Sequence, residues 1–174
     1  MQQPAALELI DESARFFSAP DGDPLEALEK AHVTQLTICD MLEQIADSIP
    51  GQINRLTCGR LAEMLLPLIR NIHSFEEETL YPQAMDRLGT APEIETTITR
   101  LKFEHCEDEC FAEELADALH ELASGNAPKN PEATGYMLRG FFEAMRRHIA
   151  FEHDHLVRLM RHAVTEEQHG LVTG

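Results

Sequence analysis

Three segments of the sequence place a histidine four residues before a glutamate, a combination that can bind metal ions. They are "HSFEEETLYP", "EHCEDE" and "HIAFEHDHL", and their paired residues are His73 and Glu77, His105 and Glu109, and His148 and Glu152. On a helix, a spacing of four puts both side chains on one face. Imidazole nitrogens and carboxylate oxygens bind iron, manganese and zinc. The three segments therefore predict a metal site if the fold brings them together.

Helical periodicity runs through most of the chain and indicates which elements position these residues. Glycine and proline clusters separate four segments, 24–49, 56–88, 92–124 and 131–163, in which apolar residues recur at alternating steps of three and four. Asp23 and Thr57 are the expected caps of the first two helices, and Pro67 and Pro82 are expected to kink the second. Short connections make consecutive helices antiparallel. The predicted fold is all-α, an antiparallel up-and-down four-helix bundle.

Each predicted helix carries one histidine on its apolar face, namely His32, His73, His105 and His148. Successive pairs lie at matched distances from the turn that they share: 17 and 17 residues, 15 and 13, then 19 and 17. A difference of two residues corresponds to roughly 3 Å along a helix. We therefore expect all four histidines in one layer of the bundle.

Carboxylates in the same layer strengthen the prediction of a metal centre, because an unpaired buried carboxylate is very costly without a cation. A nitrogen and oxygen donor set without thiolate indicates iron or manganese, with zinc as a further option. Six side chains exceed one tetrahedral site, so two ions are expected. If Glu77 and Glu152 bridge them, about two positions remain for water, Glu109 or a small ligand such as dioxygen. Asp108 is either an alternative ligand or a hydrogen-bond acceptor for a ligating histidine.

Composition restricts the classes of function. The chain has 174 residues with 43% apolar residues, which suits one domain, expected over 23–164 between an N-terminal extension (1–22) and a C-terminal tail (165–174). A net charge of −17 argues against nucleic acid and anionic membranes as partners. The absence of a signal-like start or long apolar run predicts a cytoplasmic protein. The four cysteines are too few and too irregularly spaced for a disulfide framework, so we expect free thiols.

In order and spacing, these motifs resemble the hemerythrin family, specifically the bacterial HHE cation-binding domains. The resemblance covers nearly the whole bundle: the single histidine of the first helix and then the three segments quoted above. It implies a non-haem di-iron site with two Fe ions bridged by oxide or hydroxide. The ligands that it implies, with the two glutamates as bridges, are His32, His73, Glu77, His105, His148 and Glu152.

Two positions depart from the pattern of the oxygen-carrying hemerythrins. Those proteins have a second histidine where this chain has Glu109, and an aspartate where this chain has His153, which makes the preceding Glu152 the expected bridge. An anion in place of a neutral imidazole favours Fe(III) over Fe(II). The resemblance therefore implies a site that oxidises readily in air and does not carry oxygen reversibly.

The predicted function is binding or sensing of a small oxidant (dioxygen, peroxide or nitric oxide) or the handling of iron. Two alternatives stay open: a structural zinc-binding bundle and a ferritin-like carboxylate di-iron oxidase. The oxidase would use the Glu-x-x-His pairs Glu29 with His32 and Glu152 with His155, together with Glu77 and Glu109. The sequence decides neither whether the protein is an enzyme nor whether it forms a homodimer.

Overall fold

The computed structural model describes residues 23–125 and 128–172, with side-chain environments up to residue 165. Its elements are α1 (Pro24–Ser48), α2 (Arg55–Phe75), α3 (Tyr81–Leu88), α4 (Pro92–Ser124), α5 (Pro131–Glu152) and α6 (Arg158–Val172). Five-residue π-helical turns, Glu76–Leu80 and His153–Val157, join α2 to α3 and α5 to α6, so that four long helical rods result. The predicted all-α four-helix bundle is confirmed.

The ends of the rods follow the capping residues in the sequence. Asp23 caps α1 by accepting the Leu25 N–H at 3.1 Å, and α4 ends at Gly125 in the left-handed conformation, φ 85°. Asn54, not the expected Thr57, caps α2, because its side chain accepts the N–H of Thr57 at 3.2 Å. The fourth rod continues to Val172 and so passes the expected end at residue 163. The predicted extension 1–22 lies outside the described residues.

Each rod packs against the other rods with one buried stripe of residues. Helix α2 packs mainly on α4, α1 packs on α5, and α4 also contacts α5. The buried residues of these stripes form one apolar cluster along the axis of the bundle. Within the described part of the chain, no helix combines the length and apolar character that a membrane span requires. The four cysteines are free thiols, as predicted: Cys39 and Cys58 are buried, and the other two are exposed.

The two π-helical turns change which residues face the core. A π turn accommodates one extra residue, and the face of every later residue rotates. After the second turn Met160 is fully buried, whereas Leu159, which the uninterrupted periodicity puts on the apolar face, is 44% exposed. The first turn lies two residues before Pro82, which cannot donate the backbone hydrogen bond to the Glu78 carbonyl that an α-helix requires. No proline accompanies the second turn.

Substitutions at 159 and 160 test the register after the second π turn. Met160→Ala is expected to lower the free energy of unfolding by about 2–5 kcal/mol, because it opens a cavity in the core. Leu159→Ala, the matched control, is expected to lower it by about 1 kcal/mol or less. Chemical denaturation of both variants measures the difference. A larger loss of unfolding free energy in Leu159→Ala than in Met160→Ala would mean that the α-helix continues without the second π turn.

Candidate metal centre

The four histidines on the apolar faces of the helices meet between the rods, which confirms that they share one layer of the bundle. The rings of His73 and His105 stack with their centroids 3.9 Å apart, and the ring of His148 lies 5.2 Å from that of His105 and 6.3 Å from that of His73. His32 joins from α1 through its Nε2 atom, which is 2.8 Å from Glu152 Oε2. Every rod therefore contributes one imidazole.

Two carboxylates lie inside this ring of imidazoles, Glu76 and Glu152. The side chain of Glu76 is 1% exposed and that of Glu152 is fully buried. Glu77, the carboxylate expected to bridge the ions, has a side chain that is 35% exposed. The physical reason is that a spacing of three also puts two side chains on one helix face, and the buried face of α2 at Ile72 and His73 continues to Glu76. Glu76 takes the interior position expected for Glu77.

The interior donors form two groups that share one residue. Atoms of His73, Glu76 and His105 lie within 4.8 Å of one another, and so do atoms of His32, Glu76 and Glu152. Among the described residues, both oxygens of Glu76, Glu152 Oε1, His73 Nε2 and His148 Nε2 have no hydrogen bond of good geometry, although Glu76 Oε2 lies 3.0 Å from His105 Nε2. Unpaired buried acceptors on this scale are costly, and a cation would satisfy them. The donor set thus fits metal ions, and Glu76 lies where it could contact two of them.

Three of the four imidazoles are held from outside by a glutamate of a neighbouring rod. The Nδ1 atoms of these histidines lie 2.8–3.1 Å from the carboxylates, in the pairs His73 with Glu109, His105 with Glu77, and His148 with Glu104. Each glutamate in turn contacts a surface cation, respectively Arg70, Lys102 and Arg100. A carboxylate at Nδ1 fixes the proton there and leaves the Nε2 lone pair directed into the centre. Three chains of histidine, glutamate and cation therefore orient three donors.

In these outer contacts a histidine does not pair with the glutamate four residues later on its own helix, as the sequence suggests, but with a glutamate of another rod. Glu77 holds His105 on the facing rod, not His73 on its own helix, and Glu109 holds His73. Glu77 and Glu109 therefore both lie in the outer layer in this structure. Ligation by the predicted imidazoles and Glu152 stays a prediction, now with Glu76 in place of Glu77.

Tyr81 brings a phenol to the same interior. Its ring is buried and its hydroxyl lies 3.2 Å from His105 Nε2. Sequence reasoning missed Tyr81, Glu76 and Glu104. Pro82 was the available signal for Tyr81, because a proline inside a helix disturbs the register around it. The spacing of three from His73 was the signal for Glu76. Glu104 carries no such signal, since its role depends on how α4 faces α5.

The protonation of the buried donors follows from burial and from their neighbours. Burial, with smaller effects from His105 and His148, lowers the pKa of His73 to about 2. Burial, together with the negative charge of Glu152, raises the pKa of Glu76 to about 7. Burial also favours a neutral Glu152, but the contact with His32 outweighs it and lowers the pKa of that carboxyl. His73 is thus a neutral imidazole, the form that binds metals.

The remaining candidates lie apart from the donor set. Asp108 is buried, its Oδ2 atom has no hydrogen-bond partner among the described residues, and burial raises its pKa to about 6. The exposed His155 interacts through Nδ1 with the Phe151 carbonyl oxygen at 3.0 Å, and Glu29 is also exposed. The Glu-x-x-His pairs of a ferritin-like centre are therefore not brought together.

The hemerythrin HHE cation-binding domain model matches residues 23–160 of the chain. The chain belongs to this family. Neither the curated proteins nor the solved structures contain a significant match to it. Membership agrees with the histidine and glutamate donors inside the bundle, and it makes this hemerythrin-like chain a metal-binding helical protein of a family that typically holds iron.

Glutamine substitutions at Glu76 and Glu77 test which of the two carboxylates binds the ions and which one orients a ligand from outside. Glu76→Gln is expected to reduce the number of ions bound per chain, because it removes the carboxylate shared by both donor groups. Glu77→Gln, the matched control, is expected to keep the number and weaken affinity by about 10–100-fold, as for other residues that orient a ligand. Metal analysis and metal titration measure the two effects.

The opposite result, full metal content in Glu76→Gln and loss of an ion in Glu77→Gln, would restore Glu77 as the ligand. Misfolding does not explain a loss in Glu76→Gln, because replacing a buried carboxylate by a neutral amide lowers the desolvation cost in the metal-free protein. Circular dichroism of both metal-free variants provides the check.

Proposed function

We propose that this hemerythrin-like protein holds two iron ions and binds or senses a small oxidant. The observation that carries the proposal is the shared position of Glu76 in two donor groups, which suits two neighbouring ions bridged by one carboxylate. Four imidazoles and two carboxylates without thiolate favour iron over softer metals. His32, His73, His105, His148, Glu76 and Glu152 are the residues that would hold the ions.

The donor set leaves room for an external ligand. Two six-coordinate ions have roughly twelve coordination positions, more than six side chains fill. Bound iron would supply redox chemistry and an open coordination position. Dioxygen, peroxide and nitric oxide are the small ligands that such a position accepts. Handling of iron itself uses the same donors and is part of the same proposal.

The surrounding residues favour oxidant sensing over reversible oxygen carriage. Glu77, Glu104 and Glu109 place three negative charges on the outer nitrogens of the imidazoles, and hydrogen bonds of this kind raise the basicity of a ligand. Basic ligands stabilise the more highly charged Fe(III) state. Tyr81 supplies a buried hydroxyl that can donate a hydrogen bond inside the centre.

The proposed setting is the cytoplasm, with a small molecule and not a nucleic acid or membrane as the partner. The four thiols are free, as in proteins of reducing compartments. The net charge of −17 repels phosphate backbones and anionic lipids. Catalytic turnover forms no part of the proposal.

Metal content and the absorption spectrum test the iron centre directly. Protein purified without added metal is expected to contain about two irons per chain, as the two donor groups suggest. Its near-ultraviolet charge-transfer bands are expected to bleach on reduction and to return in air. One zinc per chain with no such bands would instead favour the structural zinc bundle.

Removal of the metal tests whether the ions stabilise the fold. Chelation is expected to lower the Tm by several degrees, because the buried carboxylates lose their compensating charge and binding to the folded state stabilises it. Scanning calorimetry with and without a chelator measures the change, and restored iron should reverse it. An unchanged Tm would show that the buried donors tolerate the absence of a cation.

A further inference from the structure

One of the four imidazoles differs from the others in its surroundings. His32 is 8% exposed, whereas His73, His105 and His148 are 1–3% exposed. Among the residues that the structure describes, none hydrogen-bonds the Nδ1 atom of His32, and its one polar contact is from Nε2 to Glu152. His32 therefore lacks the chain of glutamate and cation that fixes each of the other three.

A surface groove between α1 and α5 opens onto this same histidine. The groove has a volume of about 560 Å³ and its apolar part is lined by Val33, Leu36, Ile149 and Ala150 beside His32. Val33 and Leu36 are exposed, at 53% and 39%. Polar residues lie at its ends: Glu29, His153 and Asp154 at one, and Arg146 at the other. An apolar surface that reaches a buried polar centre suits small uncharged molecules better than ions.

We propose that this groove is the route by which small neutral ligands reach the metal centre, and that His32 is the donor that moves to admit them. The proposal rests on the proposed metal centre. It adds a route and a difference in rigidity: three imidazoles are held at Nδ1 by a glutamate of another rod, and His32 has no such contact. Rotation of His32 breaks its contact with Glu152. Movement of His73 would break its stacking on His105 and its contact with Glu109, which Arg70 in turn holds.

The charged residues near the groove are occupied by one another, which supports a neutral occupant. Arg146 contacts Asp40 at 2.8 Å and Glu43 at 2.7 Å. Glu29 pairs with Arg161, and Asp154 lies near Arg158 and His153. Paired charges attract a free ion weakly, since each already has a partner. The apolar middle, not the polar ends, therefore defines what the groove admits.

Chemical rescue by imidazole tests the route without requiring iron. His32→Ala and His73→Ala each remove one imidazole, and each is expected to weaken cobalt binding by at least about tenfold. Added imidazole should restore cobalt binding to His32→Ala, because the groove leads to the vacated position. It should not restore binding to His73→Ala, because His73 is only 2% exposed and does not line this groove. No rescue of His32→Ala, or equal rescue of both variants, would overturn the proposal.

A blocking substitution tests the route with the native donors in place. Val33→Trp is expected to slow association of nitric oxide with the reduced, iron-loaded protein by about tenfold, equivalent to ~1.4 kcal/mol of barrier. Its iron content and final spectrum should not change. Leu56→Trp, at an exposed position of α2 outside the groove, is the matched control and should leave the rate unchanged.

An unchanged rate in Val33→Trp would overturn the route, and so would an equal slowing in Leu56→Trp. Failure of the proposed function gives a different result, namely a protein that contains no iron. In that case imidazole rescue of cobalt binding still decides whether the groove leads to the donors.

Discussion

The charge of two buried carboxylates is the constraint on which the rest of this structure depends. Glu76 and Glu152 lie in the middle of the bundle, and within the described part of the chain their close polar contacts are with His105 and His32. A protein interior tolerates such groups when they are protonated or when positive charge compensates them. The imidazoles around them supply part of that compensation, and metal ions can supply the rest. The four rods therefore converge on a polar layer within an otherwise apolar core.

The layer is rigid on three sides because its histidines are tied to the surface. Each of the three contacts crosses from one rod to another, as between Glu109 on α4 and His73 on α2, and ends at an arginine or lysine in solvent. An exposed ion pair contributes little to stability by itself. Here its effect is orientation, because it directs the Nε2 lone pair of a buried ring into the core. The fourth side, at His32, has no such contact, and it is also where the surface groove reaches the layer.

Much of the fold was predictable because its signals are local. Proline, asparagine and glycine mark the helix ends, and the apolar period of three to four residues predicts both the rods and the layer of histidines. The site was less predictable, because Glu76 and Glu77 lie three and four residues after His73 and both spacings fit one helix face. The second π turn puts Met160 and not Leu159 in the core, a single-residue change that a periodic pattern does not reveal.

The sequence by itself determined the four helices, their antiparallel order and the one imidazole on each. These follow from helix period, capping and residue counts, which depend only on neighbours along the chain. Only the tertiary structure decided which glutamate enters the centre, which glutamates hold the histidines from outside, and that His32 faces a groove. Each of these depends on the rotation of one helix face against another. That rotation is set by packing between rods and by the π turns, not by the spacing of residues along the chain.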